Sequence, residues 1–300
     1  MFPLLRKSIL PLLAASSMAM PGWAIAADAD PAMWVAKDSD TTIYLMGTFH
    51  ALDKDTDWFN DEIKTAFDAA DEVVIEAILP EEAAEMQPII LRHALDTSGK
   101  PLSEKLSAEA RETLHAKLAQ LGLPAQSFDK FKPFFASMAL ISASAPQLGI
   151  DPEIGADKQV QKAAVSANKK LTPLETAEFQ IGMFNGLSEQ EQLAILEKTL
   201  TEFEQMPELF DRMLDMWSKG DEVGFRELLE QSSAESPAIH KIVYADRNAK
   251  WAKWIDQRLD QPGTVFMAVG TGHLAGPDRV QQYLKQRGIQ VERVPHAELK

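Results

Sequence analysis

The chain has 300 residues, 45% hydrophobic and 25% charged. These proportions are ordinary for a soluble globular protein and exclude a disordered chain or a multi-span membrane protein. The formal charge of −15 argues against general nucleic-acid binding, which needs a basic surface, and the absence of cysteine excludes disulfides, thiolate metal sites, Cys nucleophiles and lipid attachment through an N-terminal Cys.

The first residues read as a leader. Arg6 and Lys7 form a positive start, Ser8 to Ala27 carries no charge, and Ala24-Ile25-Ala26 places small residues where a signal peptidase reads them. This predicts a cleaved signal over 1–26 and a mature chain over 27–300 with a charge of −17. Pro11, Pro21 and Ser16-Ser17 argue against a stable span, so membrane contact is expected only if the leader stays uncleaved. Export without cysteine points to a bacterial periplasm.

In the mature chain, Met33 to Lys37 and Thr41 to Met46 are β-type runs around a turn at Asp38-Ser39-Asp40. A helix follows near Trp58 to Ala70, with Phe59, Ile63, Ala66 and Phe67 on one face. Glu72 to Ile78 is a Val/Ile-rich strand suited to burial on both faces, as in a parallel sheet. Pro80 then opens a helix, Ser107 to Leu121 is another, closed by Gly122, and Phe131 to Ala145 is apolar enough to be buried. After Gly155 come a helix over Ala156 to Asn168 and a short strand near Lys170 to Thr172. Glu178 to Leu259 is almost all helix, with a capping box at Ser188–Glu191 and a helix stop at Gly220. Thr264 to Val269, Pro277 to Arg287 and Gln290 to Val294 read as strand, helix, strand. The expectation is one α/β domain: a central mixed sheet, strands near both termini, and a large helical insertion between them.

Two strand exits match. Ile43-Tyr44-Leu45-Met46 leads into Gly47-Thr48-Phe49-His50, and Phe266-Met267-Ala268-Val269 leads into Gly270-Thr271-Gly272-His273. Ligands in open α/β sheets sit beyond the carboxyl ends of the strands, where both histidines fall. Gly47 and Gly270 let the chain turn and let backbone N–H groups approach a ligand. Glu76 interrupts the apolar strand Val73 to Ile78, where a carboxylate needs a partner. That partner is either a Lys or Arg, or the two histidines, with Glu76 then a metal ligand or general base. Two His and a carboxylate form a common shell for a divalent metal.

Taken together, Tyr44 to His50, the Glu76 strand, Gly155-Ala156-Asp157, Leu174-Glu175-Thr176, Arg247-Asn248 and Val269 to Gly276 make the chain resemble the TraB/PrgY/GumN family, whose animal relatives are the Tiki metalloproteases. The resemblance runs from Trp34 to Val294 and implies that the two Gly-x-x-His motifs and the Glu between them are the active site: His50, Glu76 and His273. It implies that Arg247 and Asn248 face the same cleft. Glu175, at a strand exit, either joins that cleft or is a surface carboxylate at a helix start. Asp157 has no assigned role.

His93, His115, His240 and His296 lack a paired motif and read as background, and Trp217, Trp251 and Trp254 read as packing residues. Gly270-x-Gly272-x-x-x-Gly276 with Glu292 downstream offers a rival dinucleotide-binding turn. The leading expectation is a periplasmic metal-dependent hydrolase cleaving a peptide bond. His50, His273 and Glu76 would hold Mn, Co or Zn, and Arg247 would steady the oxyanion or a substrate carboxylate. Asn248, Glu175, Gly47 and Gly270 would help hold the peptide or other small substrate. The alternative is a non-catalytic peptide- or glycan-binding protein using the same cleft.

Overall fold

The computed structural model describes residues 27–52, 56–80, 83–147 and 151–296. The leader and its cleavage point lie outside the described residues. Strand β1 (Ala27–Asp28) is followed by β2 (Met33–Lys37) and β3 (Thr41–Thr48). The Asp38 carboxylate accepts from the amides of Asp40 and Thr41, closing the turn that the sequence places there. β2 and β3 then pair antiparallel from Met33–Met46 to Lys37–Thr42. Among the described residues, strand β4 (Thr56–Asp57) pairs only with β1. β5 (Glu72–Ile78), β6 (Lys170–Thr176), β7 (Gly263–Gly270) and β8 (Val291–Arg293) complete the set.

The main sheet runs β6-β5-β7-β3-β2-β8. Its first four strands are parallel; β2 is antiparallel to both β3 and β8. Alternate residues go to opposite faces. Met46, Val73, Ile75, Phe266 and Ala268 pack against Ile63 and Phe67 of the helix Asp61–Ala69 and Val160 of the helix Ala156–Ser166. Leu45, Val74, Val265, Met267 and Val269 pack against Trp251 and Ile255 of the helix Asp246–Leu259 and Leu284 of the helix Val280–Gln286. Each buried Val, Leu, Ile, Met or Phe side chain among these contributes roughly 1.5–3 kcal/mol. The helical segment between β5 and β7 has its own cluster, in which Leu114, Leu118, Leu140, Leu196 and Phe203 meet. Among the described residues no helix is long and apolar enough to cross a membrane.

Several bounds shift for physical reasons. The helix expected from Trp58 starts at Asp61, because Trp58 itself turns into the core. The strand at Lys170 runs on through Pro173 to Thr176. β6 is an edge strand, where a missing N–H is tolerated. The last helix starts at Val280, after Asp278 takes a left-handed φ of 52°. The apolar helix Pro133–Ser144 is not wholly buried: Met138 is 49% exposed. One side packs on the helical cluster and the other lines a cavity.

Candidate active site

Three neighbouring parallel strands deliver the charged groups. β3 ends before His50, β7 ends before His273, and β5, on the other side of β7, carries Glu76. The second junction turns at once into a four-residue helix, Gly272–Ala275, which buries His273 to 4% exposure. The His273 ring lies against Trp251 at 4.3 Å and Tyr244 at 5.1 Å between centroids.

Asn248 sets the His273 tautomer. Its amide nitrogen donates to the Asp278 carbonyl at 2.8 Å, so its Oδ1, 2.6 Å from His273 Nδ1, must accept. His273 therefore carries its hydrogen on Nδ1 and presents the Nε2 lone pair, which accepts from Arg247 Nη1 at 3.0 Å. Burial disfavours the charged ring and pushes its pKa down to about 3, so the imidazole is neutral.

Arg247 uses every donor it has. Nε and Nη2 hold Glu175 at 2.8–3.0 Å, Nη2 also reaches Glu76 Oε2 at 2.6 Å, and Nη1 serves the Val243 carbonyl and His273. Its guanidinium stacks over Trp251, whose indole N–H donates to Glu175 at 3.1 Å. A π-helical turn, Lys241–Ala245, supplies the Val243 carbonyl and the Tyr244 ring; such turns concentrate at functional sites.

Glu76 resolves the two readings of an acid in an apolar strand by satisfying both: it pairs with an Arg and it lies beside His273. Its Oε1 accepts from the Gly270 amide at 2.7 Å and sits 3.8 Å from His273 Nε2, and Gln180 donates to Oε2 at 3.1 Å. Burial works to raise its pKa, but the charges of His273, Arg247 and His50 and the Gly270 amide outweigh it, leaving a value of about 2. Because His273 is neutral above about pH 3, Arg247 is the lasting cationic partner.

His50 is the open member. Its side chain is 74% exposed, with Nδ1 3.4 Å from Asp157 Oδ1, and that carboxylate raises its pKa toward about 9. Asp157 arrives in the first turn of the helix Ala156–Ser166, which is locked to the junction by the Ala156 amide donating to the Phe49 carbonyl at 2.8 Å. A Cβ at Gly155 would overlap the His50 carbonyl, so only glycine lets the helix come this close. The Gly-x-Asp motif therefore has a structural role, setting a carboxylate beside His50.

The junctions also hold each other. Thr271 donates its amide and its hydroxyl to the Thr48 carbonyl, and the Gly47 carbonyl accepts from the Trp217 indole. A Cβ placed on Gly270 would lie 3.2 Å from Glu76 Oε1, 3.7 Å from His273 Cδ2 and 3.9 Å from His50 Nε2. Two imidazoles and a carboxylate therefore surround one point at the sheet edge. Their donor types suit a divalent ion; Asn248 is bonded to the far nitrogen of His273 and Asp157 lies 3.4 Å from that of His50, where the outer partners of metal-binding histidines stand. Yet among the described residues no three His, Asp or Glu side chains are drawn close enough to hold an ion. Arg247 occupies the His273 lone pair and one Glu76 oxygen.

This point opens into a cavity of about 710 Å³, whose wall includes Thr48, His50, Glu76, Gln180, Tyr244, Arg247, Gly270 and His273. Glu175 and Asn248 are not on its wall; they position Arg247 and His273 from behind. Thr48 is on the wall, and its hydroxyl is buried without a protein partner among the described residues. Sequence reasoning missed Gln180, which bridges Glu76 and Glu175, and Tyr244; neither lies in a motif. His240, read as background, contacts Asp278 at 3.0 Å, and Asp278 anchors Asn248. The rival dinucleotide turn fails for space: a Cβ on Gly272 would already lie 2.7 Å from the Tyr244 ring, so a pyrophosphate cannot approach.

The chain is similar to proteins of several bacteria. The uncharacterized protein YbaP of Escherichia coli (strain K12) is 25% identical over 255 residues, 85% of this chain and 92% of its own length. The uncharacterized YbaP of Shigella flexneri is 28% identical over 184 residues, 61% of this chain and 68% of its own. An uncharacterized protein of Treponema pallidum (strain Nichols) is 22% identical over 271 residues, 85% of this chain and 80% of its own. No solved structure matches the chain. The sequence profile of the TraB/PrgY/gumN family matches residues 32–293, and the chain belongs to that family.

Proposed function

We propose that this protein is an exported, periplasmic hydrolase that cleaves a peptide or related acyl bond with a divalent metal ion. The observation that carries the reading is the convergence of His50, Glu76 and His273 around Gly270, at the wall of a large cavity. The neutral Nε2 face of His273, the ionised Glu76 and the His50 imidazole, once it gives up the proton that Asp157 favours, are the groups that would hold Mn, Co or Zn. The ion would supply a water of lowered pKa and polarise the scissile carbonyl. Arg247 must release His273 Nε2 for this, and its guanidinium is then free to steady a developing oxyanion. The leader motif supports export.

Metal analysis of the purified mature protein, followed by peptide-library hydrolysis with and without chelator and with each ion restored, tests the proposal. His50→Ala and Glu76→Gln should each abolish turnover. No metal-dependent turnover on any substrate overturns it. A second reading, a receptor without catalysis, is favoured by one observation: all five donors of Arg247 are already engaged, two of them on groups an ion would need. Substrate capture that survives chelation and shows no turnover would select that reading. The cavity's apolar wall makes a glycan the poorer ligand for it.

A further inference from the structure

Beyond the charged groups, the cavity wall changes character. The helices Ala83–Ala94 and Pro133–Ser144 and the turn Met183–Gly186 contribute Met86, Ile90, Phe134, Met138 and Phe184, with Phe131 beside them. Among the described residues of this wall only Ser142 and Gln180 carry polar side-chain groups, and Gln180 is engaged with Glu76 and Glu175. A peptide backbone laid here would lose its hydrogen bonds to water and find almost none in return. A chain of methylenes loses nothing.

Two further observations point the same way. The helix Pro133–Ser144 carries apolar residues on both sides, its Ser137 bonded to Thr199 and its Ser142 on the cavity wall, yet only one side meets the helical cluster. A helix of that pattern is built to be covered on both sides. The rim residues Leu79, Ile90 and Met138 are 44%, 41% and 49% exposed, so the apolar surface continues to the mouth. Met86, Met138, Met183 and Met213 all line the space, and unbranched thioethers adapt to a flexible occupant. The volume of about 710 Å³ is that of a small-ligand pocket.

We propose that this cavity binds a long saturated acyl chain, its carbonyl end beside Thr48 at the strand exits and its methylenes between the helices Ala83–Ala94 and Pro133–Ser144. The inference rests on the hydrolase reading for the meaning of the carbonyl end, and it names the substrate class: a molecule carrying such a chain next to the bond at the site. The chain could come from a free fatty acid or from an acylated peptide, and the two are separable by experiment.

The test is displacement of a fluorescent fatty-acid probe from the mature full chain by octanoic, lauric and palmitic acids, by an N-palmitoyl peptide, and by the same peptide without the acyl group. Binding should tighten by about fourfold per added methylene until the cavity is full. Met138→Glu and Ile90→Glu, at exposed positions that leave folding intact, should weaken palmitate binding by tenfold or more. Tighter binding of the N-palmitoyl peptide than of palmitic acid assigns the chain to an acylated peptide; the reverse order assigns it to a free acid. Binding without chain-length dependence, equal binding of the unacylated peptide, or indifference to both substitutions overturns the inference. Measuring binding and turnover together on the wild-type protein separates the two ideas. Acyl binding by a wild type that turns over no substrate would end the hydrolase reading and keep this one, whereas turnover of unacylated peptides with no acyl binding would do the opposite.

Discussion

At the end of β3, Gly47-Thr48-Phe49-His50 runs on out of the sheet; beside it, at the end of β7, Gly270-Thr271-Gly272-His273 folds at once into a helical turn. The strands are parallel and in contact, but the motifs are offset by one residue, Thr48 standing opposite Gly270. The third residue decides the rest. Phe49 is pulled into the core beside Phe210 and Trp217, at 5.2 and 6.2 Å between centroids. Gly272 instead lets the backbone lie against Tyr244. One histidine ends up accessible beside an acid, the other buried, neutral and held by Asn248 and Arg247. The same four-residue pattern yields opposite protonation states because the residue at its variable position selects the burial of the last.

The comparison breaks most sharply at Arg247. Arg247→Met removes the cation that the second junction depends on and leaves Glu76 and Glu175 buried without it. The expected cost is about 3–5 kcal/mol, read from urea denaturation. Adding Glu175→Gln should recover part of it, and a loss under about 1 kcal/mol would mean that the network is not structural.

A smaller effect is expected from crowding either turn. Gly272→Ala meets Tyr244, and Gly155→Ala meets the His50 carbonyl. Each should cost about 1–3 kcal/mol. Only Gly155→Ala should also move the His50 imidazole resonances in a proton–nitrogen spectrum, because it separates Asp157 from the ring. Equal shifts in both variants would contradict the division between the junctions.

The pH dependence of stability should have two limbs from two histidines. The His273 pKa falls from 6.5 to about 3 on folding, so the unfolded chain takes the proton first and stability rises with pH between those values. Glu76, lowered from 4.5 to about 2, adds a limb of the same sign over its own range. His50, raised from 6.5 toward about 9, acts oppositely: its contribution is full below 6.5 and is lost as pH rises through 9. This limb is shallower because the ring is accessible and screened. Melting temperatures across pH should peak near 6.5. His273→Asn should flatten the acid side between 4.5 and 6.5, and His50→Ala the alkaline side; an unchanged acid limb in His273→Asn would assign it elsewhere.

The smallest effect belongs to the open junction itself. His50→Ala, at an exposed position, should change stability by no more than about 0.5 kcal/mol in a denaturant melt while abolishing the proposed turnover. A large stability loss there would mean that His50 is structural.

Much of this was legible in the residues. The run Val73-Val74-Ile75 marked β5, the apolar alternation marked both faces of the sheet, and the paired Gly-Thr-x-His motifs marked the strand exits, because period and turn chemistry are local properties. The tertiary structure alone decided who answers each charge. The partner of Glu76 lies 171 residues away on a helix, Asp157 reaches His50 only because Gly155 lets one helix end close on it, and the cavity exists because the insertion folds over the carboxyl ends of the strands. A carboxylate in an apolar strand announces that it needs a partner, since its burial alone is costly; which cation supplies that partner depends on packing between segments far apart in the chain, which no local pattern encodes.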